Sequence, residues 1–477
     1  MNQKSYIAKS ILGYSVSSWT NLLLGFLYVI VSTRLLLPET YGRISLFYSI
    51  SSVVMYVLTI GMDGALIRFY NDPPGGDTKS QLLYKDIVIS LVVCVIVSLC
   101  VCSLFYNPFS YRIFGICSRV LVGVFFLYTT SQVIFRYLNI SFRMSFQTKR
   151  YNIQNILVSS LLRFLIIVAA VIYNDFIFII SFLTLGVVIT LIVYLIAQRN
   201  EFLPKNNSGV YDYSISLKGY QHYFRYAFFC APAYISSYLN LYLGQQIIIS
   251  KLGAHELGIF TSVGIFSQIL SSVKGGFSTF WSAFVYKNYQ DQKDLIIKMH
   301  DFVVAIAIVG ASILVLSRDV IYIFIGKGFH ESKMFFSCLL ILPILATIQE
   351  TTAIGIYLKK RNEFSLINII SSIVVNVLSS LFFIKYFGLL GAAMGNALSG
   401  ILLYIANTMV GQHFYKSIIS PYKSMCGILL LITILVIPVI IHSFAHQMTT
   451  ILIVNLASFL LYKGEYTHIF KIAKQII

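Results

Sequence analysis

The chain has 477 residues, 58% of them hydrophobic and only 11% charged, with a mean hydropathy of +0.82 and a formal charge of +18. An ordinary soluble domain carries roughly 25% charged residues, so this inventory cannot coat a water-soluble surface. Apolar runs such as "DIVISLVVCVIVSLCVCSLF" (Asp86–Phe105) reach the ~20 helical residues that cross ~30 Å of hydrocarbon, which makes the chain a polytopic, all-α membrane protein.

Taken in chain order, apolar windows between charged or Pro/Gly breaks give about fourteen transmembrane helices. The first six centre near Leu23, Val53, Val95, Phe126, Leu162 and Gly186. The next six centre near Tyr238, Gln268, Val309, Leu342, Val374 and Ser399, and two more near Thr433 and Ala457. The first follows Lys4 and Lys9 without an A-x-A-like site, so it reads as a retained span and not a cleaved signal. With both ends inside, inner segments carry 25 of the 35 Lys and Arg and outer loops 9, leaving Arg163 within a helix. The positive-inside bias therefore predicts N-in, C-in, and the basic excess reflects topology and anionic headgroups, not a nucleic-acid groove.

The cysteines (Cys94, Cys100, Cys102, Cys117, Cys230, Cys338, Cys426) lie mostly in apolar helices, and Cys100 and Cys102 cannot share a helical face. Neither a redox pair nor a metal site is indicated. No H-E-x-x-H and no G-x-x-x-x-G-K-[ST] occurs, so zinc-protease and P-loop chemistry are not expected. The first outer loop holds Glu39 alone, short of the acidic pair a membrane glycosyltransferase would use, and an enzyme is not the expected reading.

One polar hinge is written twice. "LLPETYG" (Leu36–Gly42) and "LGAHELG" (Leu252–Gly258) stand 216 residues apart, each between the first and second helix of a half. After the first hinge, Ser45, Ser49, Ser52, Tyr56, Thr59 and Asp63 recur at steps of three and four, one continuous helical face. The same offset lands on Thr261, Ile265, Gln268, Ser272, Gly275 and Thr279, five of the six polar or small. A second alignment, "NIQNILVSSLLRFLI" (Asn152–Ile166) on "SLINIISSIVVNVLS" (Ser365–Ser379), has an offset of 213 and matches Arg163 with Asn376. The expected organisation is two parallel-repeat six-helix bundles, 1–200 and 224–411, joined by a cytoplasmic linker at 201–223. Two further helices and a tail occupy 412–477. Polar stripes are costly against lipid, so they are expected to line a cavity, although small residues at close helix contacts give the same pattern.

Arg163 lies mid-helix, where a guanidinium cannot shed its charge, and it must either pair with a carboxylate or meet an anion. Asp63 and Arg68 sit at the inner end of the second helix, as a mutual ion pair or an inner gate. Arg34 marks an outer mouth, Arg225 an inner one, and Lys274 lies low on the eighth helix. Each of these mouth residues also reads as an interfacial anchor; together they bias a cavity toward anions. Tyr234, Tyr238, Tyr242 and Gln245 form an aromatic-amide face suited to sugar rings or to helix packing.

Four stretches carry a resemblance: "TRLLLPETYGRISLFYSISSVV" (Thr33–Val54), "GMDGALIRFYN" (Gly61–Asn71), "KLGAHELGIFTSV" (Lys251–Val263) and "KYFGLLGAAMGNALSG" (Lys385–Gly400). In order and spacing they resemble the polysaccharide repeat-unit (O-antigen) flippases of the MATE-like exporter superfamily, with Leu36-Leu37 where that family usually has Leu-Gly. The resemblance implies transport of an undecaprenyl-pyrophosphate-linked oligosaccharide from the inner to the outer leaflet of the bacterial cytoplasmic membrane. It implies no cofactor, with a proton or sodium gradient as a candidate energy source. A glycan polymerase and chain-length proteins are candidate partners, alongside membrane lipids. Under that reading Arg163, Arg68, Arg225 and Lys274 attract the pyrophosphate, Tyr234, Tyr238, Tyr242, Gln245, Gln268 and Asn376 contact the glycan, and Asp63 and Arg34 gate or couple. The rivals are a multidrug or small-solute antiporter of the same superfamily and, more weakly, a glycan polymerase, which would be expected to carry a large outer loop.

Overall fold

The computed structural model describes residues 20–199, 203–205, 210–215, 217–359, 361–441 and 443–466. The start of the first helix and the basic residues Lys471 and Lys474 of the tail lie outside the described residues. The architecture is all-α: among the described residues nine helices are long and apolar enough to cross a membrane, or eleven when two bent pairs count as one span each. Each of the fourteen centres read from the sequence falls within a helix.

Cα packing divides the chain into two compact units, 1–246 and 247–477. The first holds α1 (Thr20–Leu35), α2 (Pro38–Thr59), α3 (Met62–Phe69), α4 (Lys79–Leu104), α5 (Tyr106–Phe114), α6 (Arg119–Met144), α7 (Thr148–Ile172) and α8 (Phe176–Ala197), with most of α9 (Gln221–Lys251). Pro38 opens α2 at a position whose missing N–H costs nothing. Ile60 and Gly61, both with positive φ, end α2 and redirect the chain into α3. At Gly61 only glycine fits, because a Cβ there would lie 2.1 Å from the Ala227 carbonyl oxygen of α9.

Connections of this unit gather at two ends. At one, Asn174 donates to the Leu35 carbonyl (3.0 Å), Arg43 to that of Phe114 (2.6 Å) and Gln246 to that of Arg112 (2.7 Å). At the other, the Thr78 hydroxyl caps α4 in a capping box and also donates to the Lys205 carbonyl (2.6 Å). There Gln81 donates to Asp212 (3.0 Å) and Tyr220 to Asp77, so the described part of the 201–223 linker is docked on the α3–α4 turn. The Ser214 backbone N–H, and then the Gln81 amide among weaker causes, hold the Asp212 carboxyl below its usual pKa.

The second unit contains α10 (Ala254–Ser262), α11 (Gly264–Asn288), α12 (Lys293–Leu316), α13 (Arg318–Phe324), α14 (Phe336–Thr352), α15 (Ile354–Leu358), α16 (Asn362–Phe414), α17 (Pro421–Ile440) and α18 (Phe444–Leu461). Two breaks re-aim its helices: α10 and α11 meet at 40°, and the 3₁₀ turn Lys327–Met334 meets α14 at 62°. The 53 residues of α16 are two helices folded at Gly388 (φ 53°, ψ −130°), with Gly391 and Gly395 packed against the backbone of Phe383 and Ser380. The Lys385–Gly400 motif is thus a helical hairpin. The last two helices, α17 and α18, pack on α12. Lys423 reaches Asp301 (2.6 Å) and Glu465 (3.0 Å), while fully buried His300 bonds Thr351 (2.9 Å) and Ser424 (2.8 Å).

Candidate functional site

In the first unit the polar stripe of α2 packs on the aromatic-amide face of α9. Ser49 donates to Gln245 (2.6 Å), and the Gln245 amide reaches Ser45 at 3.4 Å. The Tyr56 ring stacks on Tyr234 and Tyr238, with centroids 5.6 and 4.9 Å apart. Ser49, Tyr56, Thr59, Asp63 and Gln245 are buried, and Tyr234 and Tyr242 half-buried. Gly64 admits Tyr234 and Cys230 against the α3 backbone. Close helix approach and polar pairing therefore account for this face in the state described.

Asp63 does not pair with Arg68. Its carboxylate, 0% exposed, accepts from Nε and Nη2 of Arg136 at 3.2 and 3.1 Å, and the guanidinium lies 5.4 Å over the Tyr56 ring. Reading Arg136 as a loop residue ended the fourth helix too early; α6 runs on to Met144, so Arg163 is not the sole arginine inside a long helix. Arg68 is exposed beside the Phe69 ring, and Arg34 and Arg225 are exposed as well.

Arg163, on α7, is half-buried, and its Nη1 is enclosed without a hydrogen-bond partner. Among the described residues the Tyr28 and Tyr48 hydroxyls lie near enough to interact with it electrostatically, and the Tyr48 hydroxyl is itself enclosed without a hydrogen-bond partner. Among the described residues no carboxylate pairs with it. Of the two sequence readings for Arg163, an internal ion pair finds no partner.

In the second unit Lys274 meets Glu350 of α14 at 3.3 Å, and Glu350 also accepts from Ser278 (2.8 Å). Glu350 is not among the residues singled out from the sequence, where Asp63 is the acid expected at a helix end. Asp86 is another: it is fully buried on α4 and accepts from Tyr223 at 2.5 Å. Arg136 and Glu350 lie 214 residues apart, between the two repeat offsets. Each unit therefore ties its second helix to its fourth by an ion pair, with the charges exchanged: acid to base in the first, base to acid in the second. Gln268 is exposed, and Gly275 and Gly276 border open space. The side chain of Thr279 lies outside the described set. Asn376 is buried and accepts from Ser380 (3.2 Å), away from any open face. Among the described residues no group of three or more His, Cys, Asp or Glu could hold a metal ion.

The fold defines a polytopic, all-α membrane protein with ion-paired charged groups set within its long helices. The structure is similar to the lipid II flippase MurJ in its inward closed conformation, with a TM-score of 0.70 at 14% identity over 94% of this chain and 99% of that one. It is also similar to a multidrug-resistance MATE transporter facing inward (TM-score 0.59, 14% identity, 83% of this chain and 94% of that one). The outward-facing MATE form scores 0.53 at 16% identity, over 85% and 95% of the two chains. At such identities the likeness is one of fold. Comparison with curated protein sequences finds no match. Residues 7–280, more than half of the chain, match the family described as polysaccharide biosynthesis protein, and the chain belongs to that family.

Proposed function

We propose that this protein is a lipid-linked oligosaccharide flippase. It moves undecaprenyl-pyrophosphate-linked glycan repeat units from the inner to the outer leaflet of the bacterial cytoplasmic membrane by alternating access, for surface polysaccharide synthesis. A pyrophosphate-sugar head cannot cross hydrocarbon unaided, because its water must be replaced by other polar partners. The observation that carries this reading is Arg163. Three cations buried or half-buried in long helices, Lys85, Arg136 and Lys274, have carboxylates in Asp77, Asp63 and Glu350. Among the described residues Arg163 has none, and a charge held in a span without a counter-ion is costly unless a ligand supplies one.

The finer topology belongs to the same proposal: fourteen spans, both termini inside, and two parallel six-helix halves followed by two further helices. It is supported by the gathering of alternate connections at opposite ends of the first unit and by the exchanged ion pairs. Arg68, Arg225 and Arg34, exposed and without a carboxylate partner among the described residues, are proposed to draw in the pyrophosphate. Tyr234, Tyr238, Tyr242, Gln245 and Gln268 are proposed to meet the glycan. Asp63 is the proposed coupling or gating acid, with protons or sodium as the coupling ion, and a glycan polymerase and chain-length proteins as downstream partners.

The test is glycan export in cells that depend on this gene. Arg163→Ala and Arg163→Glu should stop surface polysaccharide at normal protein levels, and Arg163→Lys should retain part of it; normal export by Arg163→Glu rules the assignment out. One feature favours the antiporter instead: Asp86 Oδ1 is buried without a hydrogen-bond partner, as a cation-binding acid would be. Resistance to cationic drugs conferred by the wild type and lost in Asp86→Asn would select that reading.

A further inference from the structure

The second unit contains a cavity of about 630 Å³ that the transport reading leaves unused. Its walls come from four separate connections: Glu256 at the start of α10, the 3₁₀ turn with His330, Glu331, Lys333 and Met334, Leu389 beside the α16 fold, and Pro438 and Gln447 around the α17–α18 turn. All four are joints that the charge bias assigns to the outer side.

Arg318 is the arginine in the wall of this cavity. It is 8% exposed, yet it lines the space, and its Nε has no hydrogen-bond partner. Its contacts are long: Nη2 to the Gln447 oxygen at 3.4 Å and Nε to Asp319 at 3.5 Å, and the Asp319 oxygen is already held by Lys333 at 2.8 Å. A guanidinium offers five N–H donors. Here Nε is buried without a hydrogen-bond partner and Nη2 has the long Gln447 contact, next to a space of the size that small ligands occupy, about 300–1,000 Å³.

The rest of the wall narrows the ligand class. Glu256 and Glu331 accept hydrogen bonds and would repel a phosphate or another compact anion. Phe335, Leu389 and Pro438 supply an apolar surface beside them. His330 Nε2 lies 3.0 Å from the Ile325 carbonyl and donates to it, so in the neutral ring Nδ1 is an acceptor. Donors, acceptors and an apolar patch around one space match a saccharide ring, which carries hydroxyls of both roles and an apolar face. We propose that this cavity is a second glycan site, taking the hydroxyl-rich repeat unit at the outer end of the second unit, with Arg318 as its main hydrogen-bond donor. The identity of the glycan as the transported one rests on the flippase reading; the saccharide chemistry does not.

The test uses purified full-length protein in nanodiscs. The probe is repeat-unit oligosaccharide released by partial acid hydrolysis from the surface polysaccharide of the strain that carries the gene. Titration should show saturable binding, weakened at least tenfold in Arg318→Gln. Met334, 45% exposed on the rim, gives a variant that leaves the buried arginine alone: Met334→Cys should bind normally, then lose binding once a bulky maleimide is attached, while wild type treated in the same way keeps it. Binding that survives the blocked rim overturns the site, as does absence of saturable binding to the wild type. Inorganic phosphate competing as strongly as the oligosaccharide overturns the saccharide assignment in favour of an anion site. Arg163→Ala should bind the oligosaccharide like wild type while failing to export, so failure of this site and failure of the flippase reading give different results.

Discussion

Replacing Arg136 by methionine removes the charged partner that a 0% exposed carboxylate, Asp63, has among the described residues. What remains near Asp63 is the Thr59 hydroxyl at 3.5 Å, too long to substitute for two guanidinium bonds. Breaking a buried pair by deleting one member costs about 3–5 kcal/mol. Arg136 itself keeps 28% of its side chain exposed, so the pair is partly solvated and the lower end, about 3 kcal/mol, is expected. For a domain of 150–250 residues, about 1 kcal/mol moves the midpoint by roughly 2–4 °C. Arg136→Met should therefore lower the unfolding midpoint of the first unit by about 6–12 °C, as read by thermal denaturation of purified protein. Asp63→Asn should cost less, about 1 kcal/mol, because it leaves a cation that can still reach water and stack over Tyr56. The double variant Arg136→Met with Asp63→Asn should recover most of the loss, since neither member is then charged. A midpoint for Arg136→Met equal to wild type, or a double variant as unstable as the single, refutes the buried-pair account.

Three further outcomes follow from single contacts. Gly61→Ala puts a methyl group 2.1 Å from a backbone oxygen of α9 at a φ of +74°; strain alone costs about 1–3 kcal/mol, and the clash adds to it, so folded protein recovered after detergent extraction should fall sharply. Thr78→Ala deletes the α4 cap, worth about 1 kcal/mol, together with the bond to the Lys205 carbonyl, and limited proteolysis should cut the 201–223 linker faster than in wild type. Glu350→Gln should be milder than Arg136→Met, about 1 kcal/mol or less, because Lys274 is 33% exposed and finds water; the exchange of both charges, Lys274→Glu with Glu350→Lys, should return the midpoint toward wild type.

The sequence carried the helices because lipid enforces them: an uncharged run of sufficient length has no other stable form in hydrocarbon, and all fourteen centres lie in helices. It carried the polar face of α2 because a period of three and four survives without knowledge of any partner. Partners were a different matter. Periodicity shows that Ser49 and Tyr56 share a face, but not that Gln245 and Tyr234 cover it. The same gap hid Arg136. A count of loop charges treats an arginine near a helix end as outside the helix, whereas α6 runs past Arg136 to Met144 and Arg136 reaches the buried Asp63 from within it. One signal was available: Arg136 and Glu350 stand apart by the repeat offset with opposite charge. A search for like residues at matched positions passes over such a pair, because the two positions carry opposite charges.

The two units also differ in how exposed their polar stripes are, and that difference can be measured. In the first unit Ser49 and Thr59 are buried, Ser49 being bonded to Gln245. In the second, Gln268 is exposed among Ser271, Gly275 and Gly276, a polar and small surface that would be costly against lipid and is therefore expected to be wet. In a background lacking the native cysteines, a membrane-impermeant thiol reagent should modify Gln268→Cys within minutes and leave Ser49→Cys and Thr59→Cys largely unreacted. The Ser49–Gln245 contact covers this stripe, so Gln245→Ala, which deletes the partner of Ser49, should raise the labelling rate of Ser49→Cys without changing that of Gln268→Cys. If Gln268→Cys stays unlabelled while outer-loop controls react, the open face lies against lipid and no wet vestibule exists there. If Ser49→Cys labels at the full rate with Gln245 intact, the α2–α9 contact does not close that stripe, and the polar pairing between them is not a gate.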